Sequence, residues 1–373
     1  MKKRVILEQG SLITALGNGD RTADALMAGR SAIVEGPCFT VPVAYAPFDD
    51  PDLRDPEAAF SLLREELSLE DAASGRTLFV YAAAKGDARG LEPFASRDDH
   101  DSLSSLLSVQ ARRIRALLGL DAASCMTVSN ACASGMVACS VAKFLLEQGI
   151  CDNAVVAGFD VLSHFVVSGF HSLGALSAHG ARPFDAQRDG LSLGDGAALV
   201  HLSLREPVRG DIILAGAAQS NDANHRTGPS RSGDGLLRAA LDALFDADTP
   251  PDKIGAVKCH GTATVYNDAM EAKAINNLFG AGASHPSVLP PCFSVKGATG
   301  HTSGAGSLIE TILAAKFLRQ RRVPPTAGLE TPDPEAFLPV SSSVQPIIHP
   351  SMLCLSAGFG GLNAALLLLE HDS

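Results

Sequence analysis

Short apolar runs alternate with helically spaced segments along most of the chain. Val5 to Leu7 reads as a strand, and Asp20 to Met27 as a short helix stopped near Gly29. Asp and Pro crowd residues 46 to 60, which read as a loop, and Thr77 to Ala83 returns to a strand pattern. Residues 86 to 103 are polar and read as irregular. Ser104 to Leu118 has helical spacing, with its arginines gathered near the end. Cys125 to Val128 is a brief apolar run that leads into small residues. A long helix is expected from Ser134 to Gln148, with Gly149 as its stop. Ala154 to Gly158 has the unbroken apolar character of a buried strand, and Ala197 to Leu202 reads as another, interrupted only by His201.

The second half repeats this order. Ile212 to Gly216 reads as a strand, Leu236 to Phe245 as an amphipathic helix, and Ile254 to Cys259 as a strand delivering His260. Helices are expected over Ala269 to Leu278 and Gly304 to Arg319, and a last strand over Ala364 to Leu369. The letters repeat as well. Ala142-Lys143-Phe144-Leu145 matches Ala315-Lys316-Phe317-Leu318, and Ala197-Ala198-Leu199 matches Ala364-Ala365-Leu366, in the same order. A duplicated, layered α/β unit is expected, with halves at 1–205 and 206–373 and the site between them.

Composition narrows the class. Hydrophobic residues make up 46% of 373, aromatics only 5%, and there are 35 Gly and no Trp. A core of small aliphatics suits closely layered helices and sheets. The net charge is −11, which argues against nucleic acid as a general partner. Two basic clusters, Arg112/Arg113/Arg115 and Arg319/Arg321/Arg322, read first as solvated helix ends. No CxxC pair occurs among eight scattered cysteines, so no metal ribbon or redox motif is expected. The amino terminus has too short an apolar run for a signal peptide, and no stretch reaches membrane-spanning length. A reducing cytoplasm with free thiols is the expected setting, without membrane insertion.

Three residues carry candidate chemistry. Cys132 lies in Ser129-Asn130-Ala131-Cys132-Ala133-Ser134-Gly135, just before the long helix. A helix N-terminus favours the thiolate, so a lowered pKa is expected there. The plainer alternative is a buried small hydrophobe, the behaviour expected of Cys139 two turns on. His260 opens His260-Gly261-Thr262-Ala263-Thr264, and His301 closes Lys296-Gly297-Ala298-Thr299-Gly300-His301. A lone histidine after a strand is usually structural. Glycines packed around His301 suggest close backbone approach to a ligand, but the Lys-x4-His order is not that of a phosphate loop. The turn Gly358-Phe359-Gly360-Gly361-Leu362-Asn363 can aim N–H groups at an oxyanion, or can simply be a tight glycine turn.

Taken together these segments resemble the β-ketoacyl-acyl carrier protein synthases of the elongating Cys-His-His class, which have a thiolase-like fold. The resemblance runs from Ala15-Leu16-Gly17-Asn18-Gly19 and Gly29-Arg30-Ser31-Ala32-Ile33, through Ala131-Cys132-Ala133-Ser134-Gly135, to Arg182-Pro183-Phe184-Asp185-x-x-Arg188-Asp189-Gly190. It continues through Asp222-Ala223-Asn224-His225-x-Thr227, the two histidine motifs and the closing glycine turn. The resemblance implies that Cys132 takes an acyl chain from an acyl carrier protein. His260 and His301 then hold a malonyl thioester and stabilise the enolate left by decarboxylation. It further implies an oxyanion hole from the N–H groups of Cys132 and Phe359. Lys296 and Glu271 would order the histidines, with Asp268 and Asn363 in support. Thr262, Thr264, His225, Thr227, Leu191 and Gly360 would meet the substrate or its pantetheine arm. No metal or other cofactor is implied, and a homodimer or a heterodimer with a related subunit is.

The pattern is also broken in places. The chain is shorter than typical relatives, mostly between Ala46 and Met126, where the family carries helices that cap the acyl pocket and support the dimer. Asn130 stands where Thr is usual, Val265-Tyr266-Asn267-Asp268 replaces Pro-x-Gly-Asp, and Leu191 replaces a common aromatic. These departures point to a specialised synthase, such as one for polyenes or another secondary lipid. The competing functions are a noncatalytic partner that sets chain length and an acyltransferase that does not decarboxylate.

Overall fold

The computed structural model describes residues 3–73, 75–91, 106–280 and 289–372. The main strands are β1 (Arg4–Thr14), β2 (Thr77–Ala82), β3 (Ser124–Val128), β4 (Asn153–Asp160), β5 (Gly196–Arg205), β6 (Ile212–Asn221), β7 (Ala256–Lys258), β8 (Cys292–Phe293), β9 (Ser351–Gly358) and β10 (Leu362–Glu370). The longer helices are α1 (Gly19–Met27), α2 (Pro56–Glu65), α3 (Leu107–Leu117), α4 (Ser134–Glu147), α5 (His164–Ser172), α6 (Asp234–Asp246), α7 (Val265–Gly280) and α8 (Ser303–Gln320). The strands join in one 11-stranded sheet in the order β8-β7-β9-β10-β6-β1-β5-β4-β2-β3, with Gly17–Asn18 paired to the end of β1. The two halves meet at the short β1–β6 pairing of Ile6 with Ile213 and Leu7 with Ile212. Read outward from that seam, each half has the same directions: two antiparallel pairings, then two parallel ones.

Alternation along the strands explains the layers. Leu78, Val80 and Ala82 of β2 join the central core, while Phe79 and Tyr81 face an outer one with Phe60 and Ile114. On β10, Ala364, Leu366 and Leu368 face the centre, and Ala365 and Leu367 an outer core with Leu236 and Ile275. Both sheet faces are therefore covered, which is why the strands read as unbroken apolar runs. Helices α4 and α8 fill the middle layer, α2 and α3 cover one outside, and α6 and α7 the other. The result is the expected duplicated αβαβα layering of a thiolase-like fold. The repeated letters fall on equivalent parts, α4 with α8 and β5 with β10.

Some expectations need correction. Residues 46–60 are not one loop. Asp55 caps α2 by accepting from the N–H groups of Glu57 and Ala58, and Pro56 opens the helix, so the Asp-Pro signal marked a helix start. Within 86–103, Ala88–Leu91 forms one helical turn, and 92–103 lie outside the described residues. The helix expected from Ser104 starts at Leu107, 104–105 also lying outside the described residues. A hairpin, Val34–Cys38 with Val41–Ala46, and strand β9 escaped notice.

Small residues set the spacing of the middle layer. A Cβ at Gly135 would lie 2.4 Å from the backbone nitrogen of Leu308. Gly135→Ala therefore pushes α4 away from α8, a cost of about 1–3 kcal/mol for overpacking. Thermal unfolding should show a clear drop in midpoint, and an unchanged midpoint would mean that the two helices are not held this closely.

Candidate active site

The candidate nucleophile, Cys132, is presented by a strained elbow. Strand β3 ends at Val128, and Ala131 then adopts φ 48°, a left-handed conformation that costs a non-glycine residue energy. Ser134, the first residue of α4, holds the turn. Its hydroxyl donates to the Ala131 carbonyl at 2.7 Å and accepts from the Asn130 N–H at 2.8 Å. Cys132 is thereby set two residues ahead of α4, with 8% of its surface exposed. The closing turn packs against it. A Cβ on Gly358 would lie 3.3 Å from the Cys132 nitrogen, and the Phe359 N–H is directed at the Cys132 thiol. Both N–H groups expected to form an oxyanion hole thus lie beside the sulfur.

The expected low thiol pKa is not found. Burial pushes the Cys132 thiol up to about 11, and the pull of Lys296, Lys85 and the Phe359 N–H does not offset it. In the free protein the sulfur carries its proton at neutral pH. Position before a helix is outweighed here by removal from water.

His260 lies just past the end of β7, and His301 between a helical turn at Lys296–Thr299 and α8. Their rings meet edge to face, 5.5 Å between centroids and 86° between planes. Burial, and after it the positive charge of Lys296, holds His260 well below the usual imidazole value and His301 at about 3. Both rings are neutral at pH 7. The Lys296 ammonium donates to the His260 carbonyl at 2.7 Å, to His260 Nδ1 at 3.4 Å and to Glu310. An ammonium can only donate, so Nδ1 of His260 is the acceptor and the ring proton sits on Nε2. Nδ1 of His301 is buried without a partner among the described residues.

Carboxylates hold the backbone of the first histidine motif. Glu271 accepts from the N–H groups of His260 at 2.5 Å and Gly261 at 2.8 Å, and burial raises its pKa to about 7. Asp268 accepts from the N–H groups of Phe184, Thr262 and Ala263, and burial raises it too. These two residues shape the loop rather than touch the imidazoles. Asn363 donates to Asp222 at 2.9 Å and to the Gly361 carbonyl, which shapes the closing turn.

One narrow cleft, of about 70 Å³, brings Cys132, His260 and His301 together with Leu191, Thr227, Thr262, Thr264 and Phe359. Two expected substrate contacts lie outside it. His225 caps its own turn, accepting from the Thr227 and Gly228 N–H groups, and lines a neighbouring groove. Gly360 donates its N–H to the Arg226 carbonyl and does not line the cleft. Sequence reading missed Phe170, Ala175, Pro229 and Asn267 in the cleft wall, and Lys258 and Glu310 beneath it. A lysine inside the apolar run Ile254 to Cys259 was the available signal for Lys258. Glu310 had a similar one, as the lone carboxylate in α8.

A doubled αβαβα sheet with a Cys-His-His cleft defines a thiolase-like protein. Residues 57–206 match the family described as "Beta-ketoacyl synthase, N-terminal domain", and 212–330 match "Beta-ketoacyl synthase, C-terminal domain". The chain belongs to the β-ketoacyl synthase family. It is 34% identical over 256 residues to the 3-oxoacyl-[acyl-carrier-protein] synthase 2 of Staphylococcus aureus, a match that covers 65% of this chain and 61% of that protein. The chain thus aligns with less than two thirds of that relative's length. A β-ketoacyl synthase structure from Burkholderia phymatum superposes with a TM-score of 0.86 at 26% identity, covering 99% of this chain and 100% of that one. A ketosynthase in complex with its chain length factor, from Xenorhabdus doucetiae, gives 0.85 at 27% identity, covering 99% and 98%.

A thiol held at about 11 gains thiolate about tenfold per pH unit below that value. Alkylation of Cys132 by iodoacetamide, read by peptide mass mapping so that the exposed Cys125 is counted separately, should climb log-linearly from about pH 7 to about pH 9. A rate already flat at neutral pH would show a preformed thiolate.

Proposed function

We propose that the protein is a β-ketoacyl-acyl carrier protein synthase that condenses an acyl group on Cys132 with malonyl-acyl carrier protein. The observation that carries this reading is one cleft lined by one thiol and two neutral imidazoles. In the first step the Cys132 sulfur attacks the acyl thioester carbonyl. The carbon–sulfur bond to the carrier's pantetheine breaks, and the thiol proton ends on the departing sulfur. Malonyl-carrier then enters, its bond to the carboxylate breaks, and CO2 leaves its electron pair on the thioester enolate. Neutral imidazoles suit that oxygen, because they donate hydrogen bonds without quenching the carbanion as an imidazolium would. The carbanion attacks the acyl-Cys132 carbonyl, the N–H groups of Cys132 and Phe359 receive the oxyanion, and the sulfur leaves as a thiolate that takes one proton from solvent. The electrons come from the broken carbon–carbon bond, so the balance needs no redox cofactor. Cys132 is the one thiol among the described residues lining the cleft, which favours decarboxylation over chemistry that uses a second cysteine.

The groove beside the cleft supports a carrier protein as partner. Pro229 lines both, and the groove is rimmed by Arg231, Lys273 and the exposed Tyr266. It suits an acidic protein better than the clusters singled out in the sequence. Arg113 is paired with Glu57, Arg115 donates to the Ala123 carbonyl, and Arg321 pairs with Glu370 and Asp372. A paired assembly is part of the same proposal. Strand β3 is a sheet edge with Ser124 to Thr127 exposed, next to the exposed ring of Phe144, which favours a second copy or a related subunit there. No helix among the described residues is long and apolar enough to cross a membrane. The cysteines are free, which supports the proposed cytoplasmic setting.

Intact-protein mass after incubation with acyl-carrier protein should show acylation that Cys132→Ala abolishes. Labelled malonyl-carrier should then release CO2. Acylation without CO2 release would favour a non-decarboxylating acyltransferase, and no acylation would favour a noncatalytic partner. Arg231→Glu with Lys273→Glu should raise the apparent KM for malonyl-carrier about tenfold while leaving kcat near wild type, as expected for lost charge complementarity. An unchanged KM would remove this groove as the docking face.

A further inference from the structure

Beneath the cleft lies a second cation that the mechanism above does not use. Lys258, on β7, is 1% exposed, and its ammonium donates to Glu310 Oε2 and, at 2.8 Å, to the Leu355 carbonyl of β9. Glu310, on α8, gives its other oxygen, Oε1, to Lys296. One buried carboxylate is therefore divided between two lysines, one per oxygen. Lys296 in turn spends its remaining donors on the carbonyl and Nδ1 of His260.

We infer that Lys258 is a positioning residue for the condensation, acting through Glu310 to keep Lys296 aimed at His260. This assignment rests on the function proposed above. With Oε2 engaged by Lys258, Glu310 can offer Lys296 only Oε1. Without Lys258 both oxygens are free, and the fork of the carboxylate can draw a second donor of Lys296 away from His260 Nδ1. The ring would then lose the partner that fixes its tautomer. Leaving a buried carboxylate half paired is also costly, so Glu310 has reason to rearrange.

The charges facing Lys258 come from every side. They are Glu310 of α8, Lys296 of the turn before α8 and Glu271 of α7, with the neutral thiols of Cys354 on β9 and of Cys259, next to Lys258 in sequence, also close by. Burial works against the Lys258 charge, but Glu310 outweighs it and holds Lys258 above the ordinary lysine value. Burial also acts on Lys296, and despite Glu310 it sits below that value, Lys258 adding to the depression. The Lys258 charge likewise depresses both imidazoles. Its removal makes them easier to protonate, so the acid limb of the rate profile must move to higher pH.

The test is Lys258→Met, assayed by labelled CO2 release from malonyl-carrier and by condensation with the acylated enzyme. The expected result is a fall in kcat of about tenfold or more, as for a misaimed catalytic group, with KM for malonyl-carrier changed by less than about threefold. The acid limb should also shift upward. Once Glu310→Gln is in place, adding Lys258→Met should cost little more, because the two act as one unit. If Lys258→Met does not fold, Lys258→Gln keeps a donor toward Glu310, removes the charge, and should show the same upward shift. A wild-type pH profile and kcat in a folded variant, or losses that simply add to those of Glu310→Gln, would overturn the assignment. Wild-type protein that releases no CO2 would refute the proposed function itself, and the assignment with it. That outcome is distinct from wild type and variant releasing CO2 equally, which refutes the assignment alone.

Discussion

Glu310 is the residue on which the site depends. It is a single carboxylate, removed from water and flanked by two ammonium groups, and it is the anchor that lets Lys296 stay charged inside the protein. Burying three such charges is unfavourable unless each is paired and hydrogen-bonded, and here each is. The arrangement yields a fixed proton on one imidazole, and its lysine charge adds to burial, the larger effect, in keeping both rings neutral. An apolar replacement of the same volume would pack as well but would orient nothing.

The duplicated sheet makes that anchor possible. Helices α4 and α8 occupy equivalent places in the two halves and touch through Gly135 and Leu308. The first carries Cys132 just ahead of its N-terminus. The second carries Glu310 and follows directly from His301. Asp160, at the end of β4, ties the two halves at the same level. It accepts from the N–H groups of Ala84 and Ala305, and burial raises its carboxyl to about 6. One half therefore supplies the thiol and the other the imidazoles and their charges, and the packing of the middle layer sets the distance between them.

The layered architecture was legible because buried strands and long helices leave strong periodic signals, and because the halves repeat in letters as well as in order. Cys132, His260 and His301 stood out through the small residues beside them, which the close backbone approach requires, whereas the role of Lys296 entered only through the family resemblance. Helix α2 was misread because Asp55-Pro56 serves equally in loops and at helix starts. The protonation state of Cys132 was misjudged because burial acts from residues distant in sequence. Glu310 and Lys258 each left a local signal, a charge set in an apolar segment, but what the charge does was not legible, because the two meet across 52 positions. His225 and Gly360 matched a motif, yet their backbone duties place them outside the cleft.

The central claim is that His260 works as a neutral ring with its proton fixed on Nε2 by Lys296. Nitrogen-15 NMR of the imidazoles in the intact protein, followed across the neutral pH range, tests it most directly. The account predicts one Nδ1-accepting, Nε2-protonated ring for His260 throughout, with no titration near the usual histidine value. An imidazolium at neutral pH, or the opposite tautomer, would contradict it.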